Sequence, residues 1–102
     1  MRIITRRTLR RYWEAHPEAE ASLRRWIKKV RNAHWASMAD LRQSFPSADT
    51  VLVASGRPVV VFDIAHNRHR LITAVHYNTQ KVYTLMVLSH AEYDRDTWKE
   101  VL

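Results

Sequence analysis

The stretch VVVFDIAHNRHRLITAVHYNTQKVYTLMVL, residues 59–88, decides the fold. It holds three runs rich in β-branched and aromatic residues, 59–64, 70–77 and 82–88, parted by turn segments at 65–68 and at Asn78-Thr79. Residues 51–54 make a fourth run, set off by the turn sequence Ser55-Gly56-Arg57-Pro58. Connections this short join antiparallel neighbours, so the pattern predicts a four-stranded meander.

Upstream the period changes from extended to helical. Arg2 to Ile4 is short enough for one more strand, and Thr5 supplies an N-cap oxygen for a helix carrying Leu9, Tyr12 and Trp13 to about His16. Pro17 ends that helix and suits the first turn of the next. From Glu18 to about His34, residues Leu23, Trp26, Ile27, Val30 and His34 fall on one helical face. Ser37 and Asp40 cap a third, short helix that carries Leu41 and Phe45 and ends at Pro46. Downstream of the strands, Ser89-His90-Ala91-Glu92 is a capping box, which predicts a short helix running towards Val101. The sum is an α+β domain: N-terminal helices packed on one face of a small antiparallel sheet of about four strands, with a short C-terminal helix. A chain of 102 residues has room for one such domain, spanning residues 1–102.

Composition narrows the function. The absence of Cys excludes disulfides, thiolate metal sites and a Cys nucleophile. The single Gly excludes a phosphate-cradling Gly loop, and no Ser sits in a nucleophile elbow. No apolar run has the length of a signal-peptide core or a membrane span, so a cytoplasmic protein is expected. The net charge of +7 calls for a polyanionic partner. It is uneven: residues 1–50 hold eleven Lys/Arg against five Asp/Glu, residues 51–102 six against five. Arg24, Arg25, Lys28, Lys29 and Arg31 crowd the outer side of the second helix, the arrangement of a phosphate-binding face. The competing readings are a solvated helix face or a dock for an acidic protein.

The meander also has a consequence for chemistry. If Val75 stands opposite Tyr83, Arg70 stands opposite Leu88, and Asp63, His66, Asn67, His69, Arg70, His90, Tyr93 and Asp94 converge on one end of the sheet. An arginine, a histidine and the free N–H groups of a helix start around one phosphate would let a ribose 2′-OH attack its own 3′-phosphate. That reaction needs no metal and no cofactor, and none is expected. His66 and His69 are a weak zinc pair, with too few ligands and two arginines beside them. Trp13, Trp26 and Trp35 are expected in the core.

The segments Val61-Phe62-Asp63-Ile64, Asn67, Arg70, Gln80-Lys81-Val82-Tyr83 and Ser89-His90-Ala91-Glu92-Tyr93-Asp94 resemble the signature stretch of the HigB-type toxins. These are RelE-like toxins of bacterial type II toxin–antitoxin pairs. Met1-Arg2-Ile3-Ile4, Trp13, His16-Pro17-Glu18, Trp35 and Phe45-Pro46-Ser47-Ala48-Asp49 extend the similarity over nearly the whole chain. The resemblance implies a RelE-like fold and an mRNA interferase, an endoribonuclease often acting on message in the ribosome. It also implies a HigA-type helix-turn-helix antitoxin as partner. Asn67, Arg70, His90, Tyr93 and Asp94 are the site positions carried over. Arg68 and Lys81 join the residues of the second helix as expected RNA contacts. One departure stands out: where the family often has Gly in the turn before Asn67, this chain has Ala65 and His66. A non-catalytic toxin of the same fold, acting on a protein such as gyrase, and a plain RNA-binding protein are the alternatives.

Overall fold

The computed structural model describes residues 1–102. Its order is β1 (Arg2–Ile4), α1 (Arg6–Ala15), a 3-10 turn (Pro17–Ala19), α2 (Glu20–Arg31), α3 (Met38–Ser44), β2 (Asp49–Leu52), β3 (Pro58–Ile64), β4 (His69–His76), β5 (Lys81–Ser89), α4 (His90–Asp94) and a second 3-10 turn (Thr97–Glu100). The α+β class holds. The sheet has five strands rather than four, in the order β1-β5-β4-β3-β2. β2 to β5 form the expected antiparallel meander, and β1 lies parallel to β5 along its outer edge. Covering that edge removes a row of unpaired backbone groups.

The register of β4 on β5 differs from expectation at one end and agrees at the other. Val75 pairs with Val82, not Tyr83, yet Arg70 pairs with Leu88 as expected. A bulge between these points adds one residue to β5. The bulge has a packing reason. Val82 and Thr84 point inwards, Leu85 is exposed, and the extra residue returns Val87 to the core.

The helices cover one face of the sheet. Leu9, Leu23, Trp26, Val30 and Leu41 pack there on Val60, Phe62, Ile64, Leu71, Val82 and Val87. α2 is shorter than its apolar pattern, because the Asn32 side chain donates to the Lys28 carbonyl and closes the helix before His34. Trp26 and Trp35 are buried as expected. Trp13 is only half buried, with the Arg24 guanidinium 4.8 Å from its ring centre.

The other face has its own smaller core of Val53, Val59, Val61, Ile72 and Trp98, with Tyr93 and Leu88 at its margin. The cover is the C-terminal segment. α4 does not run on to Val101: Asp96 takes a left-handed conformation, φ 62°, and turns the chain so that Trp98 folds back onto the sheet. The Trp98 indole N–H donates to the Tyr93 carbonyl at 3.0 Å. Helices α1, α2 and α3 therefore lie on one face, and Tyr93, Trp98 and Leu102 pack on the opposite one.

Candidate active site

The turn joining β3 to β4 is the hinge of the site. Ala65, His66 and Asn67 are all left-handed, with φ of 52°, 56° and 69°. Each such residue costs ~1–2 kcal/mol when it carries a Cβ, Asn the least. The missing glycine thus leaves the turn shape possible but strained. The Arg68 N–H closes the turn on the Ala65 carbonyl, and the Arg68 carbonyl accepts from the His90 N–H at 2.9 Å. The turn and the start of α4 are stitched together through that bond.

Arg70 stands on the face away from the helices, opposite Asp63 in the ladder. Its Nε lies 3.2 Å from Asp63 Oδ1, and an Nη donates to the Asn67 carbonyl at 2.6 Å. Its guanidinium carbon sits 5.2 Å from the centre of the Tyr93 ring. Three contacts thus fix a side chain that is 13% exposed. A guanidinium has five N–H donors, so several stay available for an anion. Tyr93 is held in turn, stacked on Trp98 at 5.3 Å. Burial pushes the Tyr93 hydroxyl above its ordinary pKa, against the pull of nearby Arg70.

At α4 the capping box is complete. Ser89 Oγ accepts from the Glu92 N–H, and Glu92 accepts from the Ser89 N–H. Those bonds to Ser89 hold the Glu92 carboxyl below its usual range. This narrows one expectation, that the helix start offers several free N–H groups to a phosphate. The His90 and Glu92 amides are both taken, and α4 is only five residues long. His90 Nε2 lies 3.1 Å from Asp94 Oδ2, one turn along the helix. Both side chains are more than half exposed, so the pair faces solvent. If Nε2–H donates to the carboxylate, Nδ1 is left to take up a proton.

Other expected contacts divide. Arg24, Lys28 and Arg31 line a groove with Arg6, Arg10 and Trp13 of α1. Arg25 and Lys29 point the other way, into a depression shared with Asp63, Ala65 and His66. Only the second group adjoins Arg70, through Asp63. Arg6 and Arg10 were not singled out in the sequence, because their partners in the groove come from another helix. Lys81 lies at the far end of the sheet, paired with His76 and Arg2. His66 stays in the turn while His69 is buried, and no set of three His or carboxylate side chains is placed to hold a metal ion.

His69 leads to a cluster that sequence reading missed. It is 5% exposed and faces the helices, opposite to Arg70, as strand alternation requires. Its Nδ1 is 2.6 Å from the Tyr12 hydroxyl, its Nε2 3.6 Å from Glu18 Oε1. The same carboxylate oxygen is 3.6 Å from His16 Nδ1, and the His16 ring stacks on Tyr12 at 4.2 Å. Burial lowers the His69 pKa, with Glu18 opposing. Burial, with the carboxylates of Glu92 and Glu18, pushes the Tyr12 hydroxyl up to about 12. Alternation gives the side to which His69 points. What it meets there depends on how α1 packs, which the sequence does not display.

Comparison with known proteins places these residues in a family context. A family model described as HigB_toxin, the RelE-like toxic component of a toxin–antitoxin system, matches residues 19–96. The chain is 27% identical over 94 residues to the mRNA interferase toxin HigB of Escherichia coli K12. The alignment spans 92% of this chain and 88% of that relative. The mRNA interferases HigB of Escherichia coli O157:H7 and of Shigella flexneri match to the same extent.

Proposed function

The chain belongs to the HigB toxin family, the RelE-like toxic components of toxin–antitoxin systems, and from that premise we propose that it is an mRNA interferase cutting RNA at the sheet end that carries Arg70, His90 and Tyr93. The curated relatives bear that activity in their names. The observation that carries the reading is Arg70: a guanidinium held on three sides, with N–H donors to spare, on the same sheet end as a solvent-facing His90–Asp94 pair.

The reaction is attack of a ribose 2′-OH on the adjacent phosphate. The 2′-oxygen forms a bond to phosphorus, the bond to the 5′-oxygen breaks, and a 2′,3′-cyclic phosphate and a 5′-OH result. Arg70 contacts the phosphate oxygens and stabilises the charge that builds up on the phosphorane. The 2′-OH gives up a proton and the leaving 5′-oxygen takes one; His90 handles one of these two transfers and solvent water the other. Asp94 orients the imidazole, the Asn67 carbonyl and the Tyr93 ring orient Arg70, and the nucleophile comes from the RNA itself. No metal or cofactor enters this scheme.

Arg25, Lys29 and His66 line one depression with Asp63, the ion-pair partner of Arg70, which supports reading them, along with Arg68, as contacts to the RNA backbone. The groove of Arg24, Lys28 and Arg31 opens beside α1, and its cations serve a second stretch of RNA, ribosomal RNA when the message is cut on the ribosome. Lys81, at the other end, is left out of this track. Membership of the family gives the chain an antitoxin partner; we take it to be of the HigA, helix-turn-helix type, and the pair to act in the cytoplasm. No helix of the chain is long and apolar enough to cross a membrane.

Primer extension on a message from cells briefly expressing the chain tests the reading, beside a double variant, Arg70→Ala with His90→Ala. Discrete new 5′ ends with the natural chain alone are expected. Growth arrest without new ends would overturn it in favour of a protein target.

A further inference from the structure

We propose that His69, hydrogen-bonded to Tyr12 and faced by Glu18, is a positioning residue that keeps the Arg70 strand and the His90 helix in fixed relation. The catalytic part of this claim rests on the function proposed above; the structural part does not.

The argument starts from the neighbours of His69 in the chain. Arg68 holds α4 through its carbonyl, which accepts from the His90 N–H at 2.9 Å. Arg70 carries the guanidinium. His69 itself pairs across the ladder with Ser89, the cap of α4. One residue therefore sits among all three attachments of the site. It is also the first residue of β4, two past three consecutive left-handed ones, in a turn that would relax if nothing anchored its exit. The anchor is the side chain of His69, buried and tied to α1 by the 2.6 Å bond to the Tyr12 hydroxyl.

The state of the ring follows from what surrounds it. Tyr12 faces it from α1, His16 from the cap that ends α1, Glu18 from the 3-10 turn and Arg68 from its own turn, while Glu92 of α4 faces Tyr12 and His16. The Glu18 carboxylate beside Nε2 favours the tautomer with the proton on that nitrogen. Nδ1 then carries the lone pair and accepts from the Tyr12 O–H. At 3.6 Å the carboxylate is beyond hydrogen-bond reach, and Nε2 is buried without a partner. Protonation would turn Nδ1 into a donor to the Tyr12 oxygen, so the tie to α1 would persist with its direction reversed.

The test uses three variants of the full chain, on message-programmed ribosomes at saturating and limiting concentration. Tyr12→Phe removes only the hydroxyl. His69→Asn places an amide oxygen where Nδ1 accepts, and His69→Leu removes the acceptor. Tyr12→Phe and His69→Leu are expected to lower kcat by ~10-fold or more with KM unchanged, as small misplacements of catalytic groups do. His69→Asn should stay within about threefold of the natural chain, and Tyr12→Phe should add nothing to His69→Leu. Amide exchange at His90, read without any RNA, should quicken in Tyr12→Phe and return to normal in His69→Asn. Equal rates and equal His90 exchange in Tyr12→Phe and the natural chain would overturn the proposal, as would His69→Asn failing as badly as His69→Leu. If the natural chain makes no cuts, the functional reading has failed, and His90 exchange alone decides whether His69 positions α4.

Discussion

On the helix-covered face of β4, His69 is buried against α1 and Glu18; on the bare face, its neighbour Arg70 lies against Tyr93 and Asp63 and keeps 13% of its side chain exposed. Both carry polar heads, and a single step along a strand separates them. The covered face is rigid, because three helices and a large apolar cluster pack on it. The bare face has a thin cover, one short helix and Trp98. The difference teaches how a chain this small combines stability with an open site. It packs one face for stability and leaves the other to a few ordered side chains, and the alternation of the strand carries order from one to the other.

The thin cover can be broken most severely. Trp98→Ala removes the largest residue of the smaller core and the ring on which Tyr93 stacks. A loss of ~3–5 kcal/mol is expected for truncating a buried Trp, read from urea unfolding. A loss below ~1 kcal/mol would mean that the bare face needs no cover, and the contrast between faces would fall.

Arg70→Ala should separate chemistry from folding. Cleavage is expected to drop ~10²–10³-fold, as when a single charge-stabilising donor is removed from an active site. The melting temperature should stay within a few degrees, because Asp63 is a third exposed and tolerates losing its partner. Unfolding in place of inactivation would make Arg70 a structural residue like His69.

The two faces should also differ in their response to acid. Burial lowers the His69 pKa in the folded chain. Between that lowered value and the ordinary ~6.5, the unfolded chain binds the proton and the folded chain does not. Stability therefore falls as pH drops below about 6.5 and levels off below the folded value. His69→Asn should flatten this slope in urea titrations from pH 7 to 5, and an unchanged slope would show that His69 is not the group responsible. At the alkaline end the sign reverses: Tyr12, pushed up to about 12, resists deprotonation when folded, so stability falls as pH rises from 10 towards 12.

A small gain is expected at the turn. Ala65→Gly relieves the left-handed strain of ~1–2 kcal/mol and gives back part of it as chain entropy. A net stabilisation of ~0.5–1 kcal/mol should appear in the urea midpoint. Destabilisation would mean that the Ala65 methyl, which touches the main core, matters more than its backbone.

The bare face was the more legible of the two in the sequence. Strand runs and turn residues specify which segments pair, and that pairing brings Asp63, Arg70 and His90 to one end. The register at Arg70 came out correctly although the hairpin was read one residue off, because the bulge at Leu85 restores the count. A bulge is set by side-chain packing on both faces, which hydrophobic pattern alone does not report. The C-terminal helix was read too long, since the turn at Asp96 depends on Trp98 finding the sheet. Likewise, Tyr12 counted only as a helix-face residue and Glu18 only as the residue after Pro17. Their meeting with His69 is a product of tertiary packing across 57 and 51 positions, from 12 to 69 and from 18 to 69.

The central claim is that this end of the sheet drives attack by the RNA's own 2′-OH. The most direct measurement is the end chemistry of a defined message cut on ribosomes by the purified chain, with a second message carrying a single 2′-deoxy sugar at the cut position. The account predicts a 2′,3′-cyclic phosphate and a 5′-OH, and no cut at the deoxy site. Cutting at the deoxy position at an undiminished rate, or ends bearing a 5′-phosphate, would contradict it.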